Sequence, residues 1–198
     1  MNDCDVARVK EFDTEAALDQ AMGLFWRRGY EATSMQDLVD TLGVNRSSLY
    51  ATFGDKGQLF GAVMQRYDER VSTALHASLA PPAAGRDAME AYLMAVVASI
   101  TSPEGGGGCL MLNASMTCVT APAPLLDRAT QAVRGTEAGL LAALRRDPNL
   151  RGRRDLPSLA RFFAAQSMGL AVLARAGVGP AELKAAARIA LRVLEEPA

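Results

Sequence analysis

Two short stretches of helical periodicity, parted by a turn of three or four residues, constrain this chain more than any other feature. Ser34, with Asp37 three positions later, reads as a shortened capping box, and Leu38, Val39 and Leu42 give the following helix an apolar face before Gly43 stops it. Only Val44 and Asn45 intervene before Ser47, Leu49, Tyr50 and Phe53 resume the pattern. A glycine-centred connection of that length between two short helices is the helix-turn-helix signature.

The flanking segments supply its supports. Asp13 is a good N-cap for a helix with Ala17, Leu18, Ala21, Met22, Phe25 and Trp26 on one face, closed by Gly29. Asp55, with Gln58 three residues on, opens a helix whose Leu59, Phe60, Val63, Met64, Tyr67, Val71 and Leu75 stay on one side for several turns until Pro81 and Pro82. Beyond them the pattern predicts helices over 87–101, 109–118 and 124–146, then two final helices with Pro157 and Pro180 at their first positions. No stretch alternates at period two, so the expected class is all-α. The expected division is an N-terminal helix-turn-helix unit over residues 1–56 and a second, larger helical body over 57–198.

Composition narrows the chemistry. With His76 as the sole histidine and only Cys4, Cys109 and Cys118, the usual tetrahedral zinc spacing cannot be assembled, and no metal is expected. The glycine run ending at Gly108 follows no strand and reads as a loop, not a nucleotide cradle, so no cofactor is expected. Sparse, odd cysteines fit a reducing cytoplasm, and the polar start of the chain offers no signal-peptide core. No uninterrupted apolar run reaches the ~18 residues of a membrane span.

A short helix presented in this way fits the major groove of double-stranded DNA. Its outward residues are expected to be Arg46, Ser47, Ser48, Ala51 and Thr52, with Arg46 the strong base reader. Tyr50, Thr33, Ser34 and Lys56 would form a phosphate clamp, the last because a cation in the first turn of a helix opposes the macrodipole and implies another use.

The stretch TSMQDLVDTLGVNRSSLYATFGDKGQLF, Thr33 to Phe60, resembles the DNA-binding region of the tetracycline-repressor (TetR) family of bacterial regulators, and LDQAMGLFWRRGYEATS upstream resembles that family's first helix. The resemblance implies an N-terminal three-helix DNA-binding domain, a C-terminal helical ligand-binding and dimerisation domain, a homodimer on a palindromic operator and release by a small-molecule effector. By position it places Arg46, Ser47, Ser48, Tyr50 and Thr52 against bases and nearby phosphates, and Thr33, Ser34 and Lys56 against the backbone. Ala51 departs, being small where many relatives carry a bulky group.

In the C-terminal part, Leu159, Phe162, Phe163, Gln166, Leu170 and Leu173 form one stripe and Leu183, Ala187, Ala190, Leu191 and Leu194 another; both are matched by resemblance to the family's dimerising helices. Met64, Tyr67, Tyr92, Cys109 and Met111 are the candidate effector-pocket residues. The segment from Gly105 to Cys118 resembles a GCL segment in one branch of the family, where an electrophile-sensing member uses the matching cysteine. Cys109 at a helix start is accordingly a candidate thiol sensor. The competing class is a helical thiol-dependent enzyme, or a protein-interaction module, using Cys109.

The net charge of −1 conceals a partition. Residues 1–70 carry 8 basic and 12 acidic side chains, the remainder 13 and 10. The half expected to touch DNA is the acidic one, which predicts few phosphate contacts and weak non-specific affinity.

Overall fold

A computed structural model of the chain describes residues 12–102, 108–117 and 120–195. Cys4, Cys118 and the glycines before Gly108 lie outside the described residues. The fold is all-α, as the periodicity requires. Three helices, α1 (Thr14–Arg28), α2 (Met35–Leu42) and α3 (Arg46–Phe53), lead into α4 (Lys56–Tyr67), a π-helical turn (Asp68–Ser72) and α5 (Thr73–Ala77). The C-terminal body holds α6 (Gly85–Ile100), α7 (Leu110–Thr117), α8 (Ala123–Arg145), α9 (Leu156–Arg175) and α10 (Pro180–Ala190).

The caps act as the sequence dictates. Asp13 accepts from the amides of Glu15 and Ala16, and Asn45 from that of Ser48. Ser34 and Asp55 each close a full capping box, with Asp37 and Gln58 respectively. Gly43 ends α2 at φ 65°, a left-handed conformation that turns the chain sharply into α3 and that side chains with a Cβ rarely adopt. Pro180 takes the first position of α10, whereas Pro157 falls one residue inside α9.

The packed interior forms two clusters, and they do not divide at the expected boundary between residues 56 and 57. Phe25, Trp26, Leu38 and Leu49 share one cluster with Leu59, Phe60, Val63, Met64 and Tyr67 of α4, and also with Leu110 and Met111 of α7. The reason is that α1 and α2 alone cannot cover their apolar faces. Phe60 fills the gap, with its ring centroid 4.9 Å from those of both Phe25 and Tyr30. Burying each such aromatic contributes up to about 1.5–3 kcal/mol. The long connecting helix therefore belongs structurally to the N-terminal unit, and α7 is keyed into it.

The second cluster brings α6, α8, α9 and α10 together around Met89, Leu93, Leu140, Leu144, Phe163 and Leu183. Helix α9 is long and apolar enough to cross a membrane, with a mean hydropathy of 1.2, but it packs against α6, α8 and α10 as a core helix. The stripe matched to dimerisation on α10 turns inward: Leu183, Ala187, Ala190 and Leu191 are buried within one chain. Among the described residues of this body, the large apolar side chains left exposed are Val172 and Leu173 on α9 and Ile189 on α10.

Candidate nucleic-acid interface and ligand chamber

Helix α3 is gripped from two sides, by α2 and α4, and its wholly buried Leu49 sets which residues face away. Asn45, Arg46, Ser47, Tyr50, Ala51 and Thr52 are exposed, and the Arg46 guanidinium carbon sits 5.8 Å from the centre of the Tyr50 ring. Ser48 is a correction. It was expected on the outer face, but two flanking helices widen the buried arc beyond one stripe, leaving it 5% exposed with its amide given to Asn45 Oδ1 at 2.7 Å.

The clamp residues are placed differently from their reading as free donors. Thr33 is fully buried; its hydroxyl donates to the Gly29 carbonyl at 2.7 Å and its amide to that of Tyr30, so it closes the turn between α1 and α2. The Ser34 amide donates to Asp37 Oδ2 at 2.8 Å, and its hydroxyl bridges to the same carboxylate. Those bonds, with the Arg28 pair at 2.8 Å, hold the Asp37 carboxyl below the usual carboxylate range. A carboxylate thus sits at the N-terminus of α2, and the amides of Met35 and Gln36 are the ones its first turn presents outward.

Lys56 answers the macrodipole argument in an unexpected way. Its Nζ donates to the carbonyls of Tyr30 at 2.9 Å and Thr33 at 3.0 Å, 4.2 Å from the centre of the Tyr30 ring. Two of its three protons therefore anchor the α1–α2 turn onto α4.

Helix α1 is locked to α4 by charge as well as packing. Arg66 forks onto Asp19 through Nε at 2.5 Å and Nη2 at 2.9 Å and also pairs with Glu15, while Arg70 reaches Asp19 at 2.5 Å. The Arg66 hydrogen bond is the main cause of a lowered Asp19 carboxyl, against the opposing pull of burial. Trp26 extends the lock to the C-terminal body: its ring meets Tyr67 edge-on at 5.1 Å, and its Nε1 donates to the Gly108 carbonyl at 3.0 Å.

Beyond Tyr67 lies a chamber of about 80 Å³ between α4, α5, α6, α7, α8 and α9. Of the candidate effector-pocket residues, Tyr67, Tyr92, Cys109 and Met111 line it. Met64 does not; one turn back on α4, it is buried in the N-terminal cluster. The reading missed His76, Thr136 and Ser167, which also line the chamber, because they are isolated polar residues on three different helices and only packing brings them together. Cys109, half-buried just before α7, accepts a hydrogen bond from Tyr67 Oη at 3.4 Å. Burial first, and Cys109 second, push the Tyr67 phenol well above its ordinary value; burial also raises Tyr92. Ser72, His76, Met111 and Ala132 border both this chamber and a neighbouring open groove of about 670 Å³.

An exposed short helix, set by buried leucines and carrying arginine, tyrosine and hydroxyls outward, defines a helix-turn-helix DNA-binding protein. Comparison with known proteins gives the family. Residues 17–63 match the signature of bacterial regulatory proteins of the tetR family. The chain is 43% identical over 107 residues to the HTH-type transcriptional repressor ComR of Escherichia coli (strain K12), a match spanning 54% of this chain and 51% of ComR, about half that repressor's length. It is 28% identical over 194 residues to the uncharacterized HTH-type regulator YezE of Bacillus subtilis (strain 168), covering 96% of this chain and 100% of YezE. Among solved structures, the TetR family regulator CifR, in a triple-cysteine mutant complexed with 26-bp operator DNA, superposes with a TM-score of 0.83 at 30% identity, covering 93% of this chain and 98% of CifR. The chain belongs to the TetR family of transcriptional regulators.

Proposed function

We propose that this protein is a ligand-responsive repressor that binds a palindromic operator as a homodimer and is released when a small molecule occupies the chamber. The observation that carries this reading is the continuity between the two sites. One helix, α4, holds the α1–α2 turn of the DNA-binding unit at its start through Lys56, packs against α3, and ends in the chamber wall at Tyr67. The following π turn, a feature often found at functional sites, carries Ser72 into the same wall. Because α1 is bound to α4 through Asp19, Arg66 and Trp26, displacement of the Tyr67 end would carry the DNA-binding unit as one body. A differential affinity of about 1–3 kcal/mol between the released and DNA-bound forms suffices for such coupling.

Arg46, Ser47, Tyr50 and Thr52 would read the groove, with Lys56 and the first turn of α2 holding phosphate. Relatives of this chain are named repressors, and one is solved on double-stranded operator DNA, which supports repression over a catalytic role for Cys109. Such a regulator works where the DNA is, in the bacterial cytoplasm. A gel shift on the DNA flanking the protein's own gene is the test. Retarded complexes that survive competitor DNA are expected, and binding no tighter than to random DNA would refute the reading.

Cys109 adds a second possibility, that the effector is an electrophile. Its sulfur lines the chamber and accepts from Tyr67 at the start of α7. The sulfur would add across the electrophile's double bond, with the thiol proton ending on the adjacent atom. N-ethylmaleimide should release operator from the wild type and not from Cys109→Ser; equal release from both eliminates the sensor.

A further inference from the structure

The helix-turn-helix unit is held to the C-terminal body near both ends of α4. One end is the chamber wall, where Trp26 meets Tyr67 and its Nε1 reaches the Gly108 carbonyl. The other lies at the α1–α2 turn. There Glu31 receives two bonds from one residue of the segment between α7 and α8: the Thr120 amide donates to Oε1 at 2.8 Å and the Thr120 hydroxyl to Oε2 at 2.7 Å. With both carboxylate oxygens engaged, the fork fixes direction as well as distance.

The turn that carries Glu31 is stiff on its own side, because Lys56 holds the carbonyls of Tyr30 and Thr33. The segment that carries Thr120 is seated too. Ala121 is buried in the N-terminal cluster, and α4 offers glycine where the segment crosses it: a Cβ at Gly57 would lie 3.1 Å from Pro122 Cγ, and one at Gly61 3.1 Å from Leu125 Cδ2. Both distances are tighter than side chains ordinarily pack, so the body comes as near to this end of α4 as the backbone allows. From Gly57 to Tyr67 the helix runs about 15 Å. A rotation of the unit by about 5° around the Tyr67 end then moves the far end by about 1.3 Å, enough along the bonds to carry them past hydrogen-bonding reach. The Glu31–Thr120 clip therefore closes in one orientation of the unit only.

We propose that Glu31 and Thr120 are positioning residues for operator binding: with no part in reading bases, their clip sets the angle at which the body carries α3, and with it the half-site spacing a dimer accepts. The inference rests on the dimeric operator reading above. One base pair added or removed between half-sites shifts them by about 3.4 Å and turns them by about 34°, which a clipped unit cannot follow and a freed one follows in part.

Operator affinity is measured by fluorescence anisotropy on the operator recovered by the gel shift, at its native half-site spacing and with one base pair more or fewer. Wild type is expected to prefer the native spacing by at least about tenfold. Glu31→Ala removes both bonds and should cut that preference by at least about threefold; Thr120→Val removes one and should cut it by less, and Thr120→Ser keeps both and should match wild type. Adding Thr120→Val to Glu31→Ala should change nothing further, since one contact is lost only once. The lost Glu31 charge acts alike at every spacing, so the ratio of affinities reports the clip. Glu31 and Thr120 are exposed, so every variant should melt within a few degrees of wild type. A wild type indifferent to spacing, an undiminished preference in Glu31→Ala, equal losses in Thr120→Ser and Thr120→Val, or additive losses in the double variant overturns the proposal. Failure of wild type to bind any DNA flanking its gene refutes the operator reading instead, and the clip's role with it.

Discussion

Arg46 and Lys56, two cations close in sequence, divide between the exposed face of α3 and the architecture beneath it. Arg46 is exposed and held beside Tyr50, free to pair bidentately with a guanine. Arg46→Ala should cost about 1–3 kcal/mol of discrimination at one base pair, measured by fluorescence anisotropy on operators varied at that position. Lys56 instead holds two backbone carbonyls that α1 and α2 leave over at their junction. Lys56→Met should lower stability by about 1–3 kcal/mol in a urea melt, because it strands those carbonyls, and should lower operator affinity through a loosened turn. Ser48→Ala should leave operator affinity within about twofold, since its side chain faces inward. The type and spacing of these residues were legible in sequence. Which of their donors were already spent was not, since Gly29, Tyr30 and Thr33 offer carbonyls only once the turn has closed.

The helices α1 and α4 are the elements through which any signal must pass, and an ion lock joins them. Asp19 has its carboxyl lowered from the ordinary 3.8, so its bond to Arg66 stabilises the fold at pH values above that range and is lost as pH falls through the lowered value. The melting-temperature gap between wild type and Asp19→Asn should therefore be constant from pH 7 to about pH 5 and shrink below about pH 4; a gap that grows on acidification would contradict the assignment. Capping boxes, stop glycines and the apolar stripe of α4 were readable because they are local. The widening of that helix into a π turn after Tyr67 carried no signal in the stripe, which runs through Val71 and Leu75 without a break. Only the packing of Tyr67, Leu75 and His76 around one chamber makes the wider turn visible.

Across the molecule, charge and symmetry set how it meets DNA. Arg28, Arg66 and Arg70 are engaged with Asp37, Glu15 and Asp19, so much of the positive charge of the N-terminal unit is neutralised internally. The logarithm of operator affinity should fall with the logarithm of salt concentration with a slope of only about −4 to −5 per dimer, from two or three phosphates per subunit; a slope near −10 would show free cations at the interface beyond Arg46 and Lys56. Val172, Leu173 and Ile189 leave apolar surface open on α9 and α10, which a second copy would cover. Ile189→Glu combined with Val172→Asp should sediment as a monomer at micromolar concentration and lose operator affinity by at least about tenfold, because two half-sites must be gripped together.

Helix positions, their caps, the helix-turn-helix and the family resemblance followed from the order of residues, because capping, glycine conformation and periodic burial act within a few residues of one another. Three things waited for the tertiary structure: the inward turn of Thr33 and Ser48, the absorption of α4 and α7 into the N-terminal core, and the meeting of His76, Tyr92, Thr136 and Ser167. Each depends on partners far apart in the chain, and what a side chain can still offer is settled only when those partners have taken their share of its protons, lone pairs and surface.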